Sequence, residues 1–354
     1  MNSRSTFARF QAACLLSCLA CAAASPQTAS AGGADGKLDI YWIDVEGGAA
    51  TLIVTPQGES VLVDTGNPGR RDPQRIFDVA AKTAGLRKID CLVTTHFHRD
   101  HFGGAATLAS MLPIGVVFDN GEFDGGVERP DQDYLSFAVD RRAVISPGQE
   151  IPLKQSSVKS APKLTLRCLA ARQHFASAPG DAEENETVCA DARAKDRDGS
   201  DNANSIVLLL SLGEFQFFDG GDLTWNMEQK LVCPKNLVGE VDVYQTTHHG
   251  LDASNNPLVI RSLKPRVAVF NNGATKGCDP DAFAALKSEP SVEAIYQMHR
   301  NLRPDSQNNT AEEYIANLDK DCQANFIKLS VDREARSYTL SIPARGHART
   351  FAVK

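Results

Sequence analysis

The 354-residue chain is poor in several features, and each shortage narrows what it can do. It has no internal repeat, which excludes solenoid and propeller arrays. Positive charge is scarce: 37 Lys and Arg stand against 44 Asp and Glu, a net charge of -7. That balance removes the electrostatic footprint of a broad nucleic-acid-binding surface, though not a local basic patch. Beyond the first 31 residues no apolar run approaches the length of a membrane-spanning helix. Beyond the same point no C-x-x-C pair occurs, which argues against cysteine-ligated zinc. Histidine is rare, with 8 in the whole chain, so any clustering of imidazoles carries information.

The N-terminus reads as a targeting segment. Arg4 and Arg9 precede an apolar, small-residue run over 12–24, and Ala29-Ser30-Ala31 forms an A-x-A cleavage pattern. This is the build of a secretory signal peptide over 1–31, with a mature start near Gly32 and a periplasmic or secreted destination. A lipoprotein anchored at Cys18 or Cys21, after Leu15-Leu16-Ser17, is the alternative. Cys14 also lies in this region, which leaves Cys91, Cys168, Cys189, Cys233, Cys278 and Cys322. An even number in an exported chain permits disulfides. Cys91, in an apolar strand pattern, reads as a buried thiol, and Cys168 with Cys189 is an expected pair across one long loop.

Residues 32–354 are expected to form a single domain of α/β class. Strand patterns cover 38–44, 51–55, 60–64, 89–95, 115–119, 143–145, 164–169, 205–212, 215–218, 241–246 and 266–271, and a closing hairpin covers 326–331 and 337–342. Helical spacing marks 72–84, 103–111 and 280–287, and Thr310 with Glu313 predicts a capped helix to 318. The region 122–204 reads as a long insertion whose stretch 180–200 is a charged loop. Mixed sheets cannot leave an apolar face wet, so two packed sheets with helices outside are the expected architecture.

The strongest chemical signal follows the strand ending at Thr95: His96-Phe97-His98-Arg99-Asp100-His101. Three imidazoles and a carboxylate within six residues suit metal ions, above all Zn²⁺, with ligand bonds of about 2.0–2.2 Å. Mn²⁺ and iron are alternatives. Two cations about 3.5–4 Å apart can share a hydroxide nucleophile and polarise a substrate oxygen. Asp222, after Gly220-Gly221, is placed to bridge them. His248 is expected as a further ligand, with His249 beside it acting on substrate or as a supporting donor. Asp100 also orients the nucleophile, and Arg99 is placed to meet a phosphate or carboxylate.

The order Asp64-Thr65-Gly66, HxHxDH, Gly221-Asp222 and then His248-His249-Gly250 resembles the metallo-β-lactamase superfamily. More narrowly it is similar to the soluble hydrolase domain of ComEC-type DNA-uptake proteins. The supporting stretches are Asp44-Val45-Glu46-Gly47-Gly48, Val61-Leu62-Val63 before Asp64, and Asn204-Ser205-Ile206-Val207-Leu208. The resemblance implies an αββα sandwich with two metals at one edge. It casts His96 and His98 as first-site ligands, Asp100 and His101 as second-site ligands, Asp222 as the bridge, and the His248-His249 pair as completing the second site.

The superfamily's usual additional histidine, just before the strand at Ser205, is replaced here by Asp201-Asn202-Ala203-Asn204. Asp201 or His174 is the candidate substitute, or the first site is one ligand short. A Gly-His-Pro of the ComEC type reads Gly277-Cys278-Asp279-Pro280 here, with His299 as a possible compensation or a structural histidine. The implied activity is hydrolysis of a phosphoester or phosphodiester by a metal-bound hydroxide. Lactone or β-lactam hydrolysis on the same metals, and an exported metal-binding module without turnover, are the alternatives.

Overall fold

The computed structural model describes Met1 and residues 35–354 except positions 125, 181, 183 and 305–307. The expected signal segment, its cleavage site, Gly32 and Cys14, Cys18 and Cys21 lie outside the described residues.

Seventeen strands occur among the described residues: β1 (Leu38–Trp42), β2 (Thr51–Val54), β3 (Ser60–Val63), β4 (Ile89–Val93), β5 (Ile114–Asp119), β6 (Val139–Val144), β7 (Leu164–Ala171), β8 (His174–Phe175), β9 (Val207–Leu212), β10 (Phe215–Asp219), β11 (Val243–Gln245), β12 (Val267–Phe270), β13 (Ala294–His299), β14 (Ile315–Asn317), β15 (Ile327–Val331), β16 (Ser337–Ile342) and β17 (His347–Ala352). They form two mixed sheets, one of order β17-β16-β15-β1-β2-β3-β4-β5-β6 and one of order β14-β13-β12-β11-β10-β9-β7-β8.

Period-two alternation explains how the sheets stack. Along β1, Ile40 and Trp42 enter the core between the sheets, beside Leu208, Phe217 and Val269. Tyr41, between them in sequence, faces the other way and joins Ile76, Ala80, Leu92 and Leu108 under the helices on that side. The second sheet repeats the pattern: Phe218, Tyr244 and Phe270 meet Leu231, Val259 and Phe283 from the helices Trp225–Val232, Pro257–Leu263 and Pro280–Ser288. Three apolar layers therefore separate four structural layers, helix, sheet, sheet, helix. A polar link also crosses the middle. Gln245 Oε1 accepts hydrogen bonds from Trp42 Nε1 at 2.7 Å and Thr51 Oγ1 at 2.8 Å, which ties the sheets together at the end of β11.

Several sequence expectations change. The helix expected from Thr310 to 318 is a short 3-10 turn, Glu312–Tyr314, running into β14. β14 pairs in parallel with β13, Ile315 and Ala316 are each 1% exposed, and the Thr310 N–H donates to Gln297 Oε1 at 2.5 Å. Sheet pairing and burial on both faces override the local capping pattern. The helix expected over 72–84 begins as Arg71–Phe77 and continues as the π-helical stretch Asp78–Thr83. The expected Cys168–Cys189 bond is replaced by Cys189–Cys233, whose sequence separation is 44. Cys168 points into the core between the sheets as a free thiol, while Cys189 ends the short helix Glu186–Cys189, against the helix that precedes Cys233. The charged stretch 180–200 therefore has an anchor. Cys91 is a buried free thiol.

Two stability measurements follow. Closing a loop of this length removes about 4 kcal/mol of unfolded-chain entropy. The paired change Cys189→Ser/Cys233→Ser is expected to lower unfolding free energy by roughly 2–4 kcal/mol in denaturant titration. Glu228 is fully buried, with Oε2 accepting from Asn256 N at 2.8 Å, and burial pushes its carboxyl up to about 7. A raised folded value means that stability is complete below the ordinary glutamate value of about 4.3 and is lost as pH rises through about 7. Glu228→Gln removes that loss. It is expected to melt higher than the parent at pH 8 and alike at pH 4.

Candidate metal centre

The centre forms where strands end. β3 and β4 run parallel, as do β10, β11 and β12, so their carboxyl ends point to one edge of the sandwich. Open α/β sheets collect ligands at such edges. β3 delivers Asp64, β4 delivers 94–101, β10 delivers 219–222, and β11 delivers 246–250. Backbone hydrogen bonds lock these segments to one another: Thr65 N to His101 O at 2.6 Å, Ala49 N to Asp100 O at 3.1 Å, and His248 N to Gly221 O at 2.9 Å. Gly277 tightens the frame from beside β12. Its φ is +79°, and a Cβ there would stand 2.1 Å from His249 O, so this position admits only glycine.

At the focus is one oxygen, Asp222 Oδ2. It lies 3.1 Å from His101 Nε2, 3.3 Å from His249 Nε2, 3.5 Å from His248 Nε2 and 4.0 Å from His96 Nε2. Two donor groups share this corner: His96, His98 and Asp222, and Asp100, His101 and His249, with the ligand atoms of each group within 4.8 Å of one another. Asp222, His96, His101 and His249 are buried, and His98 and Asp100 are partly open.

The outer ring nitrogens are anchored. His101 Nδ1 donates to Asp64 Oδ2 at 2.7 Å, and the same oxygen accepts from Thr95 Oγ1 at 2.7 Å. His96 Nδ1 meets Thr95 Oγ1 at 3.0 Å, and His98 Nε2 meets Glu128 Oε1 at 3.1 Å. These partners hold the three rings so that His96 Nε2, His98 Nδ1 and His101 Nε2 face inward, the support expected of metal-binding imidazoles. His96 Nε2 and His98 Nδ1 stand only 2.9 Å apart. At that distance the two nitrogens share either a proton or a cation. Neither ring nitrogen of His249, which is wholly buried, makes a hydrogen bond. Buried polar atoms are normally satisfied, so the donor set fits divalent cations.

Electrostatics agree. Burial would raise Asp222, but His101, His249 and His248 outweigh it and hold the carboxyl well below its ordinary value. Burial would lower His101, but Asp222, Asp64 and Asp100 outweigh it and push that imidazole well above its ordinary value. Burial, joined by His101, pushes His96 well below. Asp100 is lowered although burial opposes it, because His101, His249 and Lys276 favour its charge. Burial pushes nearby Asp219 up to about 7, and its Oδ2 has no hydrogen-bond partner.

Seven residues named from sequence, His96, His98, Asp100, His101, Asp222, His248 and His249, meet here. His249 is the buried member beside Asp100 and His101, whereas the His248 side chain keeps 12% exposure and faces Asn202. Arg99 is exposed and forms no ion pair among the described residues. The Asp201 carboxylate is otherwise engaged, accepting from Phe97 N at 2.7 Å and Asn204 Nδ2 at 2.9 Å, so it shapes the loop instead of facing the donors. His174 is exposed in edge strand β8. His299 Nε2 bonds Asp44 Oδ1 at 2.6 Å, in a separate trio with Cys322, and Arg75 already supplies that trio with a positive charge through Asp44 Oδ2 at 3.0 Å. Sequence reasoning assigned no site role to Asp64, Thr95 or Lys276. Asp64 was visible in the Asp64-Thr65-Gly66 motif. Lys276, 2.5 Å from Asp100 Oδ2, lies 176 residues away in sequence and left no local signal.

Residues 43–159, about a third of the chain, match the metallo-beta-lactamase superfamily. ComE operon protein 3 of Bacillus subtilis is 24% identical over 262 residues, covering 68% of this chain and 28% of that protein. A UPF0173 metal-dependent hydrolase of Polynucleobacter asymbioticus is 42% identical over 86 residues, 23% of this chain and 27% of that one. The chain thus spans little more than a quarter of the length of these curated relatives. Among solved structures, CmlA, a diiron beta-hydroxylase from Streptomyces venezuelae, aligns with a TM-score of 0.42 at 14% identity, covering 73% of this chain and 52% of that one.

Asp64 offers a test of the supporting shell. Its φ of +62° is a conformation asparagine also tolerates. Asp64→Asn therefore keeps the backbone but replaces a charged acceptor behind His101 with an amide. Zinc affinity, measured by chelator competition, is expected to fall about 10–100-fold with far-ultraviolet circular dichroism unchanged.

Proposed function

We propose that this protein is an exported metal-dependent hydrolase acting on phosphoester or phosphodiester bonds. The convergence of four imidazole nitrogens on Asp222 Oδ2, with His249 buried and unbonded, carries the reading. His96, His98 and Asp222 would hold one cation, and Asp100, His101 and His249 with Asp222 the other. Zn²⁺ suits this histidine-rich set best, with Mn²⁺ or iron as the other outcomes of metal analysis. Such a cation pair supplies an activated water and polarises the bond under attack. The similarity to a protein named a metal-dependent hydrolase supports the same conclusion.

The chain's own residues suggest an anionic substrate. Lys276 Nζ stands at the rim beside Asp100, and its side chain is 38% exposed. Its ammonium is placed to receive a phosphate oxygen. Arg99, exposed on the turn that carries Asp100 and His101, is a second open cation. Next to His98 and its partner Glu128 lies a cavity of about 600 Å³, walled by Phe97, Phe123, Leu135, Arg129 and Arg142. It offers room for the leaving group. Export rests on the N-terminal sequence and on the Cys189–Cys233 bond, which belongs to oxidising compartments. No helix among the described residues is long and apolar enough to cross a membrane.

The purified protein loaded with zinc is expected to hydrolyse bis(p-nitrophenyl) phosphate, with turnover falling to background in His98→Ala. Lys276→Ala is expected to lower kcat/KM about 10–100-fold at unchanged metal content, the loss of one charged hydrogen bond of roughly 1.5–3 kcal/mol. Turnover of nitrocefin or acyl lactones with none on phosphodiesters would replace this reading with acyl hydrolysis. Two bound metals without turnover on any of these would leave a metal-binding module.

A further inference from the structure

The two donor groups are unequal. Asp100, His101 and His249, joined by Asp222, give four side-chain ligands, whereas His96, His98 and the shared Asp222 give three. Asp201, the nearest acidic residue in sequence to the missing position, is bonded to Phe97 N and Asn204. One further imidazole reaches the bridging oxygen: His248 Nε2 lies 3.5 Å from Asp222 Oδ2, nearer than His96 Nε2 at 4.0 Å.

We infer that His248 is the third protein ligand of the first metal site, alongside His96, His98 and Asp222. The inference rests on the dinuclear reading above and changes the ligand set within it. Three observations carry it.

The first is the backbone. His248 and His249 both adopt left-handed conformations, with φ of 54° and 57°. Two consecutive non-glycine residues held this way store strain that the surroundings must maintain. The effect of this double twist is to bring neighbouring rings to one carboxylate from different sides, one beside Asp100 and His101 and the other towards Asn202.

The second is the outer nitrogen. His248 Nδ1 faces Ser254 Oγ at 3.4 Å, and that hydroxyl donates its own proton to Leu223 O at 2.7 Å. Ser254 Oγ is therefore an acceptor towards the ring, which puts the imidazole proton on Nδ1 and the lone pair on Nε2. Asn202 Nδ2, 3.4 Å from Nε2, approaches that nitrogen as a donor and agrees with the same tautomer.

The third is the access left to the ring. His248 is not among the tight His96–His98–Asp222 trio and retains 12% side-chain exposure, while His249 retains none.

The test is metal binding by the full chain, read with zinc and cobalt titrations. The parent is expected to take two equivalents. His248→Ala should keep one equivalent at parental affinity and bind the other at least 100-fold more weakly, with an unchanged thermal melt in chelator. Ser254→Ala, which removes only the support of Nδ1, should weaken the same equivalent about 10–100-fold. In His248→Cys, a thiolate-to-cobalt charge-transfer band should appear at the first equivalent lost in His248→Ala. Two equivalents at parental affinity in His248→Ala, with no such band in His248→Cys, would overturn the assignment and leave His248 as a substrate-facing residue. Absence of metal from the parent would instead remove the dinuclear reading itself.

Discussion

A buried carboxylate surrounded by imidazoles is the constraint on which the rest of this molecule depends. Asp222 is 2% exposed, and Asp64 and Asp100 bring further negative charge to the same corner. Unpaired charge in such a place is costly, and positively charged or cation-binding groups must answer it. His101 answers part by favouring its protonated form between Asp222 and Asp64. His96 does not answer in the same way, because burial holds its imidazole well below its ordinary value. The architecture therefore concentrates negative charge and inward-facing ring nitrogens in one place, the electrostatic form of a divalent-cation site.

The sandwich is what makes that concentration affordable. Parallel strands end together, and the Gln245 link to Trp42 and Thr51 fixes one sheet against the other just before the His248-His249 turn. Part of the backbone strain lies in the loops above. Asp64, His248, His249 and Cys278 all have left-handed backbone, and each lies at or beside the centre. Packed sheets below can hold such conformations because their own geometry is regular and dry.

Much of the site was legible in the chain itself. HxHxDH compresses four donors into six residues, so a single strand end delivers them together, and no distant contact is needed to notice it. The strands were equally readable where alternation was clean, as in β1, β9, β15 and β16. Reading failed where a segment's neighbours, not its own pattern, decide its state. Residues 315–317 are a strand because β13 offers an open edge, and Cys189 pairs with Cys233 because two helices meet. The short strands and helices of the second sheet's helical face, among them 225–232 and 257–263, carried little local signal for the same reason.

Sequence alone determined the class of chemistry, since imidazole and carboxylate at this spacing have few uses other than binding a cation. It also determined the layered α/β architecture, through the period of its apolar residues. Only the tertiary structure decided which neighbour of the His248-His249 pair is buried beside Asp100. It alone revealed that Asp201 is occupied elsewhere and that Lys276 stands over the site. The reason is physical. Ligand type is a property of a side chain, but ligand partnership is a distance, and these distances join residues more than a hundred positions apart that meet only when two sheets pack.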